Sequence, residues 1–344
     1  MKAMFEHLKQ SDYLVPEESV RHVLTPALVF HGAAIRNNLR RVIACAGDDP
    51  NRWRPHMKTS KSPHVFREML ALGIRHFKCA TLREAEVFLG AAEEADLPID
   101  LMVAYTLYGP ALDRLCKLAA RFPRHTLSTL TEEEDHARAI DGSIGLYVDV
   151  NSGMNRTGIP MDRTDEIVRV TRAIESFRGV HFYDGHMLGV SDTNERSRAA
   201  ARGYETACAI VRAIEAAGIP VPELLTSGTP VLEDGIRFAP FAALESTVHR
   251  ISAGTAQLHD ARSQELMPDF GFLPGATVLV RVISFPRPGW ITVDCGSKGI
   301  AAEAGAPVAF VLGHPDYFVE HVTEEHIGIR IPAGAEPPAR GSLL

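Results

Sequence analysis

The feature that most constrains this chain is a regular exchange of short β-type runs with longer segments of helical period, the pattern of parallel strands joined by crossover helices. Residues 52–58 read as a strand before a helix over 63–72, and residues 76–80 as a strand before a helix over 82–92, where Thr81 and Glu84 make a capping box. Residues 101–105 lead to a helix over 110–121 that opens on Pro110, a favoured first position, and residues 126–129 lead to one over 132–140. Strand 145–150 with helix 162–176, and strand 180–183 with helix 196–216, extend the series. Residues 223–226 and 243–251 supply two more strands. The expectation is an α/β fold, a closed (β/α)8 TIM-type barrel, with an open doubly wound sheet as the competing topology.

Past Arg262 the pattern changes to short runs between Pro and Gly turns, over 271–285, 290–294, 307–312, 317–322 and 327–331. These predict a second, C-terminal β-rich domain over 263–344, following a barrel over 33–262. Residues 1–32 form an N-terminal segment whose strand, 27–30, is expected to pair with the β domain. Residues 339–344 look like the opening of another strand, so the β domain reads as incomplete.

Charge narrows the partners. With 36 basic and 43 acidic residues the formal net charge is −7, and no basic stripe is available to track phosphodiesters, so nucleic acid is not an expected partner. No apolar run approaches the roughly eighteen residues of a membrane span, and residues 1–13 are too polar for a secretory signal. A soluble, cytoplasmic protein is expected, with no membrane partner. The five cysteines are odd in number and never in Cys-x-x-Cys spacing, which fits small buried side chains in a reducing compartment.

In such a barrel the chemistry lies at the C-terminal ends of the strands. The residues there are His56, Lys58, Thr81, Tyr105, Asn155, Arg156, Tyr183, His186 and the stretches Thr226-Ser227-Gly228-Thr229 and Ser252-Ala253-Gly254-Thr255. Lys58 has Arg54, His56 and Lys61 nearby in sequence; cationic neighbours or partial burial lower an amine's pKa and free it as a nucleophile able to form a Schiff base. The competing reading is a solvated lysine at a strand end. Two Gly-Thr pairs, Gly228-Thr229 and Gly254-Thr255, follow the last two strands, where backbone N–H groups often hold a phosphate, although either alone is a common turn. Opposite a Schiff-base lysine they point together to pyridoxal phosphate. Arg156 can then face the cofactor's phenolic oxygen, Tyr183 can meet its ring nitrogen, and His186 can move protons near neutral pH.

Five motifs occur together and in order: Arg54-Pro55-His56-Met57-Lys58-Thr59-Ser60-Lys61, Cys79-Ala80-Thr81-Leu82-Arg83-Glu84-Ala85-Glu86, Gly153-Met154-Asn155-Arg156-Thr157-Gly158, Thr226-Ser227-Gly228-Thr229-Pro230 and Asp294-Cys295-Gly296-Ser297-Lys298. The set resembles the D-threonine aldolase and D-serine dehydratase family, within the alanine-racemase-like, fold-type III class of pyridoxal phosphate enzymes, and the resemblance spans nearly the whole chain. It implies a barrel carrying the cofactor on Lys58, a β domain that closes the site, and a homodimer. It also implies Arg156 as phenolate partner, Tyr183 as pyridine-nitrogen partner, and Ser227, Gly228, Thr229, Gly254 and Thr255 around the phosphate. A divalent metal (Mn, Zn or Mg) is implied too, held in the family by a His-x-Cys or His-x-Asp pair beyond the Glu-Glu-His segment, where this sequence stops. His314-Pro315-Asp316 has the letters but precedes Glu324 and reads as a loop, so no metal ligand is assigned.

The activity implied is a lyase of β-hydroxy D-amino acids of the D-threonine aldolase type, giving glycine and an aldehyde, with Lys58, His186 and His56 as catalytic candidates and His186 relaying the hydroxyl proton. One alternative is β-elimination of the D-serine dehydratase type, giving pyruvate and ammonia, with Lys58 as the α-proton base. Another is racemization, for which Tyr317 is the only tyrosine of the β domain that could act as second base. The last is a non-catalytic pyridoxal phosphate carrier, against which residues 263–344 stand, since single-barrel carriers have no β domain.

Overall fold

Helix formation begins at Glu17–Val20 (α1), followed by strand Ala27–Phe30 (β1) and the long helix Gly32–Cys45 (α2). The structure is a computed structural model that describes residues 13, 15–301 and 308–344. It separates into two units, Arg36–Gln257 and the combination of Met1–Ile35 with Leu258–Leu344.

The larger unit is the barrel. Its elements run Pro63–Ala71 (α3), His76–Cys79 (β2), Leu82–Glu94 (α4), Asp100–Thr106 (β3), Pro110–Arg121 (α5), Thr126–Thr131 (β4), Glu134–Ala139 (α6) and Gly145–Asn151 (β5). The series continues with Ile159–Pro160 (β6), Thr164–Ala173 (α7), Phe177–His181 (β7), Thr193–Ala216 (α8), Glu223–Thr226 (β8), Leu232–Arg237 (α9) and Val248–Ile251 (β9). Strands pair in parallel in the order β2-β3-β4-β5-β7-β8-β9, and β6 pairs with β5. Local chemistry sets the helix starts: Ser62 and Thr81 accept hydrogen bonds from Val65 N–H and Glu84 N–H, and Glu84 reaches back to Ala80 N–H at 2.8 Å, completing the expected capping box. Outside the sheet, Ile167 and Val170 of α7 and Ala207 and Val211 of α8 are buried in one cluster with Val148 and Val180. Burying each larger aliphatic side chain contributes about 1.5–3 kcal/mol. Inside the barrel, Met102, Leu130, Tyr147 and Leu225 form a separate buried layer.

The first predicted strand is different. Residues 52–58 make no regular strand; they close the ring through two parallel bridges, Trp53 with Ile251 of β9 and His56 with Lys78 of β2. Three backbone bonds support them: Arg54 N–H to Ile251 at 2.9 Å, Met57 N–H to Lys78 at 2.7 Å and Lys78 N–H to the Pro55 carbonyl at 2.9 Å. Pro55 has no N–H to donate, so a continuous ladder cannot form there. Two other strands depart from expectation. β7 begins at Phe177 instead of residue 180, because Gly179, at φ 145°, lets the chain approach β8 where a Cβ would lie 2.0 Å from the Glu223 carbonyl oxygen. β9 is only Val248–Ile251, because the first residue of the expected strand ends the 3₁₀ turn Ala239–Ala243 and residues 244–247 turn before the strand starts.

At the N-terminal end of the strands lies a buried ion cluster. Arg54, fully buried, donates to both oxygens of Glu223 at 2.8 and 2.9 Å, to Asp100 at 2.9 Å and to the Tyr147 hydroxyl at 3.1 Å. Arg178 donates to Asp100 at 2.7 Å, and Arg250 pairs with Glu223.

In the other unit, Ala261–Leu266 (α10) precedes Ala276–Leu279 (β10), Val282–Ser284 (β11), Trp290–Val293 (β12), Phe318–Val322 (β13) and Ile327–Arg330 (β14). β1 pairs antiparallel with β10, and β11-β12-β14-β13 make an antiparallel sheet over a core that includes Val282, Ile291, Val293, Ile327 and Ile329. The run expected over 271–285 is split between β10 and β11, because the backbone of Val280 bonds instead to Leu344, at 2.9 and 3.1 Å. Of the strand expected over 307–312, Pro307 lies outside the described residues, and Val308 to Leu312 form no strand but run into a turn at Gly313, φ 78°. His314-Pro315-Asp316 is a loop, as expected. No described helix is long and apolar enough to cross a membrane.

Removing one member of a buried, hydrogen-bonded charge set leaves its partners uncompensated, at a cost of about 3–5 kcal/mol. Arg54→Met should therefore lower the unfolding free energy by about that amount in a denaturant titration. Glu223 and Asp100 are both desolvated, which alone would raise their pKa values, but Arg54 and the neighbouring cations hold them below the ordinary carboxylate range. Their contribution in the native protein is thus present above that range and lost as pH falls through it; Arg54→Met should flatten this acid limb.

Candidate active site

Within the stave that closes the barrel, residues 53 to 57 are buried and Lys58 is exposed. Its Nζ lies 5.9 Å from the centroid of the Tyr183 ring, just past the end of β7, and the Arg156 guanidinium carbon lies 5.4 Å from the same centroid. Partial desolvation, and then the charge of Arg156, lower the Lys58 pKa, with Glu84 opposing. A larger fraction of this amine is therefore unprotonated near neutral pH than of an ordinary lysine.

The loop carrying Arg156 is organised by Asn151, whose side-chain oxygen accepts the N–H groups of Gly153 and Asn155, each at 3.0 Å. Gly158 has no substitute in that loop: it sits at φ 94°, and a Cβ would fall 2.7 Å from the Asn151 nitrogen. His186 lies beside Gly153, its Nε2 3.3 Å from where a Cβ on that glycine would be. Its Nδ1 is buried without a hydrogen-bond partner, and burial lowers its pKa, so the ring is neutral and able to accept a proton at pH 7.

His56 is buried, and Nδ1 accepts the Lys58 backbone N–H at 3.3 Å. Burial first, and the charges of Lys78 and Lys58 next, push its pKa well down, so it too is neutral. Gly254 packs against the same residue, where a Cβ would meet the His56 carbonyl oxygen at 2.7 Å. Gly254-Thr255 and Gly228-Thr229 both run into short 3₁₀ turns, Thr255–Gln257 and Thr229–Val231, directly after β9 and β8. The two turns differ in their donors. Gly228 N–H is engaged by Asp184 at 2.7 Å, and the Ser227 hydroxyl lies 3.0 Å from Tyr204 and 2.8 Å from Thr226, with Ser227 itself at φ 63°. Beside Gly254, the Ser252 hydroxyl is fully buried with no partner.

The structure thus brings together Lys58, His56, Arg156, Tyr183 and Gly254 directly, with Gly228 beside the Tyr183 ring (3.4 Å from a built Cβ) and His186 beside the Arg156 loop. Thr81 is a helix cap, Tyr105 is exposed on β3, Lys61 lies 3.4 Å from Glu84, and Arg54 serves the opposite end of the barrel. Four participants are not evident from the sequence: Asp184, Lys78, His181 and Asp149. Asp184 is buried between Gly228 N–H and the Tyr204 hydroxyl, 2.9 Å away. Lys78 and His181 read as ordinary members of predicted strands, and a lysine inside an apolar strand was the available signal.

The residues fit pyridoxal phosphate. An amine of lowered pKa, an arginine beside it, an aromatic hydroxyl, and an orphaned buried hydroxyl, Ser252 Oγ, next to Gly254-Thr255 form the donor set that an aldehyde, a phenolate, a ring nitrogen and a phosphate require. Among the described residues no group of three His, Cys, Asp or Glu side chains is arranged to hold a metal.

A lysine-bearing parallel barrel accompanied by an antiparallel β-sheet is the alanine-racemase-like architecture. The chain belongs to the family described as "Alanine racemase, N-terminal domain", which matches residues 31–244, and residues 275–344 match the model described as "Putative serine dehydratase domain". It is 26% identical to a D-threonine aldolase of Arthrobacter sp over 96% of this chain and 86% of that protein. It is 24% identical to a D-threo-3-hydroxyaspartate dehydratase of Delftia sp. (strain HT23), over 82% of this chain and 73% of the other. Among solved structures, the D-threonine aldolase from Filomicrobium marinum superimposes with a TM-score of 0.82 at 24% identity, covering 94% of this chain and 87% of that one.

Burial raises the Asp184 pKa to about 6, despite the hydrogen bonds from Gly228 and Tyr204. A raised carboxyl contributes stability below its unfolded value that is lost as pH rises through about 6. Asp184→Asn should remove that dependence while keeping both partners, whereas Asp184→Ala strands the buried Gly228 N–H at about 1–3 kcal/mol and leaves the Tyr204 hydroxyl only Ser227. Thermal melts of both variants between pH 4 and 8 compare the two.

Proposed function

We propose that this protein is a pyridoxal phosphate-dependent lyase of β-hydroxy D-amino acids, cleaving them to glycine and an aldehyde in the manner of a D-threonine aldolase. The observation that carries the reading is the exposed Lys58 amine, of lowered pKa, held with Arg156 around one face of the site at Tyr183. When bound, pyridoxal phosphate supplies an electron sink for the pair left at Cα as the Cα–Cβ bond breaks. Lys58 would hold it covalently, Arg156 would partner its phenolic oxygen and Tyr183 its pyridine nitrogen. Thr229, Gly254, Thr255 and the Ser252 hydroxyl would receive the phosphate, while Ser227 and Gly228, already bonded to Tyr204 and Asp184, would shape the turn around it.

His186, neutral and beside the loop that carries Arg156, would accept the proton of the substrate β-hydroxyl. His56 would orient Lys58 through its backbone N–H and, being neutral, adds no further charge beside the amine. The same site can also serve β-elimination, with Lys58 taking the α-proton, a reading favoured by the similarity to the Delftia dehydratase and to the serine dehydratase domain model. We assign the protein to the cytoplasm as a homodimer; the divalent metal of the Mn, Zn or Mg type that the family resemblance implies has no three-ligand group among the described residues, and no role is assigned to it.

Incubation with D-threonine should yield glycine and acetaldehyde, and pyruvate and ammonia from D-serine as the faster reaction would move the assignment to elimination. Lys58→Ala should abolish turnover. His186→Ala should lower kcat by about 10²–10⁴-fold while leaving cofactor binding intact; an unchanged kcat removes it as the base.

A further inference from the structure

Behind Tyr183 the barrel holds ionisable groups that the proposed chemistry leaves unused. Lys78, on β2, is 1% exposed, and its Nζ lies 2.9 Å from Nε2 of His181, the last residue of β7. His181 Nδ1 is 2.6 Å from Asp149 Oδ1, on β5. Lys78 Nζ is also 5.3 Å from the Tyr183 ring centroid, the ring that Lys58 and Arg156 approach.

Proton counting limits what these three can do. Asp149 is desolvated, but His181 holds its pKa below the usual value, so it is a carboxylate that accepts Nδ1–H. With Lys78 and His181 both neutral the set carries one negative charge. Adding one proton makes it neutral overall, and either Nζ or Nε2 can hold that proton without breaking the bond between them. A buried set without net charge is far less costly than one with it. Exactly one proton is therefore exchangeable.

The groups facing Lys78 decide when it is bound. Arg54, His56 and Lys58 approach from the closing stave, Arg156 from the loop after β5, Asp149 from β5 and His181 from β7. Of these cations Lys58 is the one whose charge changes when its nitrogen is used as a nucleophile.

We infer that Lys78, His181 and Asp149 form a one-proton reservoir behind Tyr183 that is filled when Lys58 loses its positive charge and emptied when Lys58 regains it. Lys78 is thus a positioning residue, keeping the cationic field on Tyr183 nearly constant while Lys58 changes state; this functional consequence rests on the role proposed for Lys58. Burial first, and the Lys58 charge second, lower the Lys78 pKa to about 7, so the exchange falls in the physiological range.

The test is ring-¹⁵N NMR of His181 in the 344-residue chain freed of cofactor, titrated from pH 5 to 9. Lys58→Met, at an exposed position, should raise the midpoint of the Lys78–His181 titration by about half a pH unit or more, since one like charge is gone. Arg156→Met should raise it less, and Lys78→Met should lower it, because only one nitrogen then holds the proton. An unchanged midpoint in Lys58→Met or in Lys78→Met overturns the inference. The readout needs only the amine's charge, so a finding that Lys58 carries no cofactor would remove the proposed function and leave this result standing.

Discussion

A guanidinium, in place of a ladder of backbone hydrogen bonds, holds the stave that carries Lys58. Pro55 interrupts the ladder, and the stave joins its neighbours by single bridges at Trp53 and His56. Arg54 supplies what is missing by donating to carboxylates from β3 and β8 and to a hydroxyl from β5. A planar, permanently charged group with several donors suits this, because it can tie three strands to one point and satisfy two buried carboxylates together. The register of the whole segment follows. With Arg54 fixed at one end of the barrel, the chain runs through the bridge at His56 into a turn that carries Lys58 at the other.

The two ends of the barrel consequently differ in charge balance. At the N-terminal end Arg54, Arg178 and Arg250 are matched by Asp100 and Glu223. At the mouth Lys58, Lys78 and Arg156 gather around one tyrosine, and Asp149 is joined to them only through His181. Desolvation, complete at Lys78 and partial at Lys58, is the first cause that lowers the two lysine pKa values, and crowding of like charge adds to it; a mouth of positive sign suits an anionic ligand. The neutrality of His56 and His186 has the same origin in burial, reinforced for His56 by the neighbouring lysines.

Much of this was legible in the sequence where the signal was local. The strand-helix alternation gives the barrel, Thr81 and Glu84 form the capping box they spell, and Lys58, Arg156 and Tyr183 meet at the end of the barrel where their strands finish. The failures share a cause, which is that the deciding contact is remote. Residues 52–58 have strand-like composition with Pro55 as the one local sign against a full ladder, and their place in the ring is set by Arg54 reaching residues from 46 to 169 positions away. Gly179 lies just ahead of the strand expected over 180–183 and permits close approach to β8. Lys78 and His181 were hidden because period-two patterning marks which face a residue occupies, without saying that two inward polar groups from distant strands will meet. Asp184 was hidden in the same way, because its engagement of Gly228 N–H depends on the packing of β7 against β8.

The central assignment concerns a single nitrogen. Peptide mass mapping of the protein loaded with pyridoxal phosphate, reduced with borohydride and digested, reads it directly. A phosphopyridoxyl group on Lys58 is the result this structure predicts; the group on Lys61 or Lys78 instead, or on no lysine at all, would contradict it.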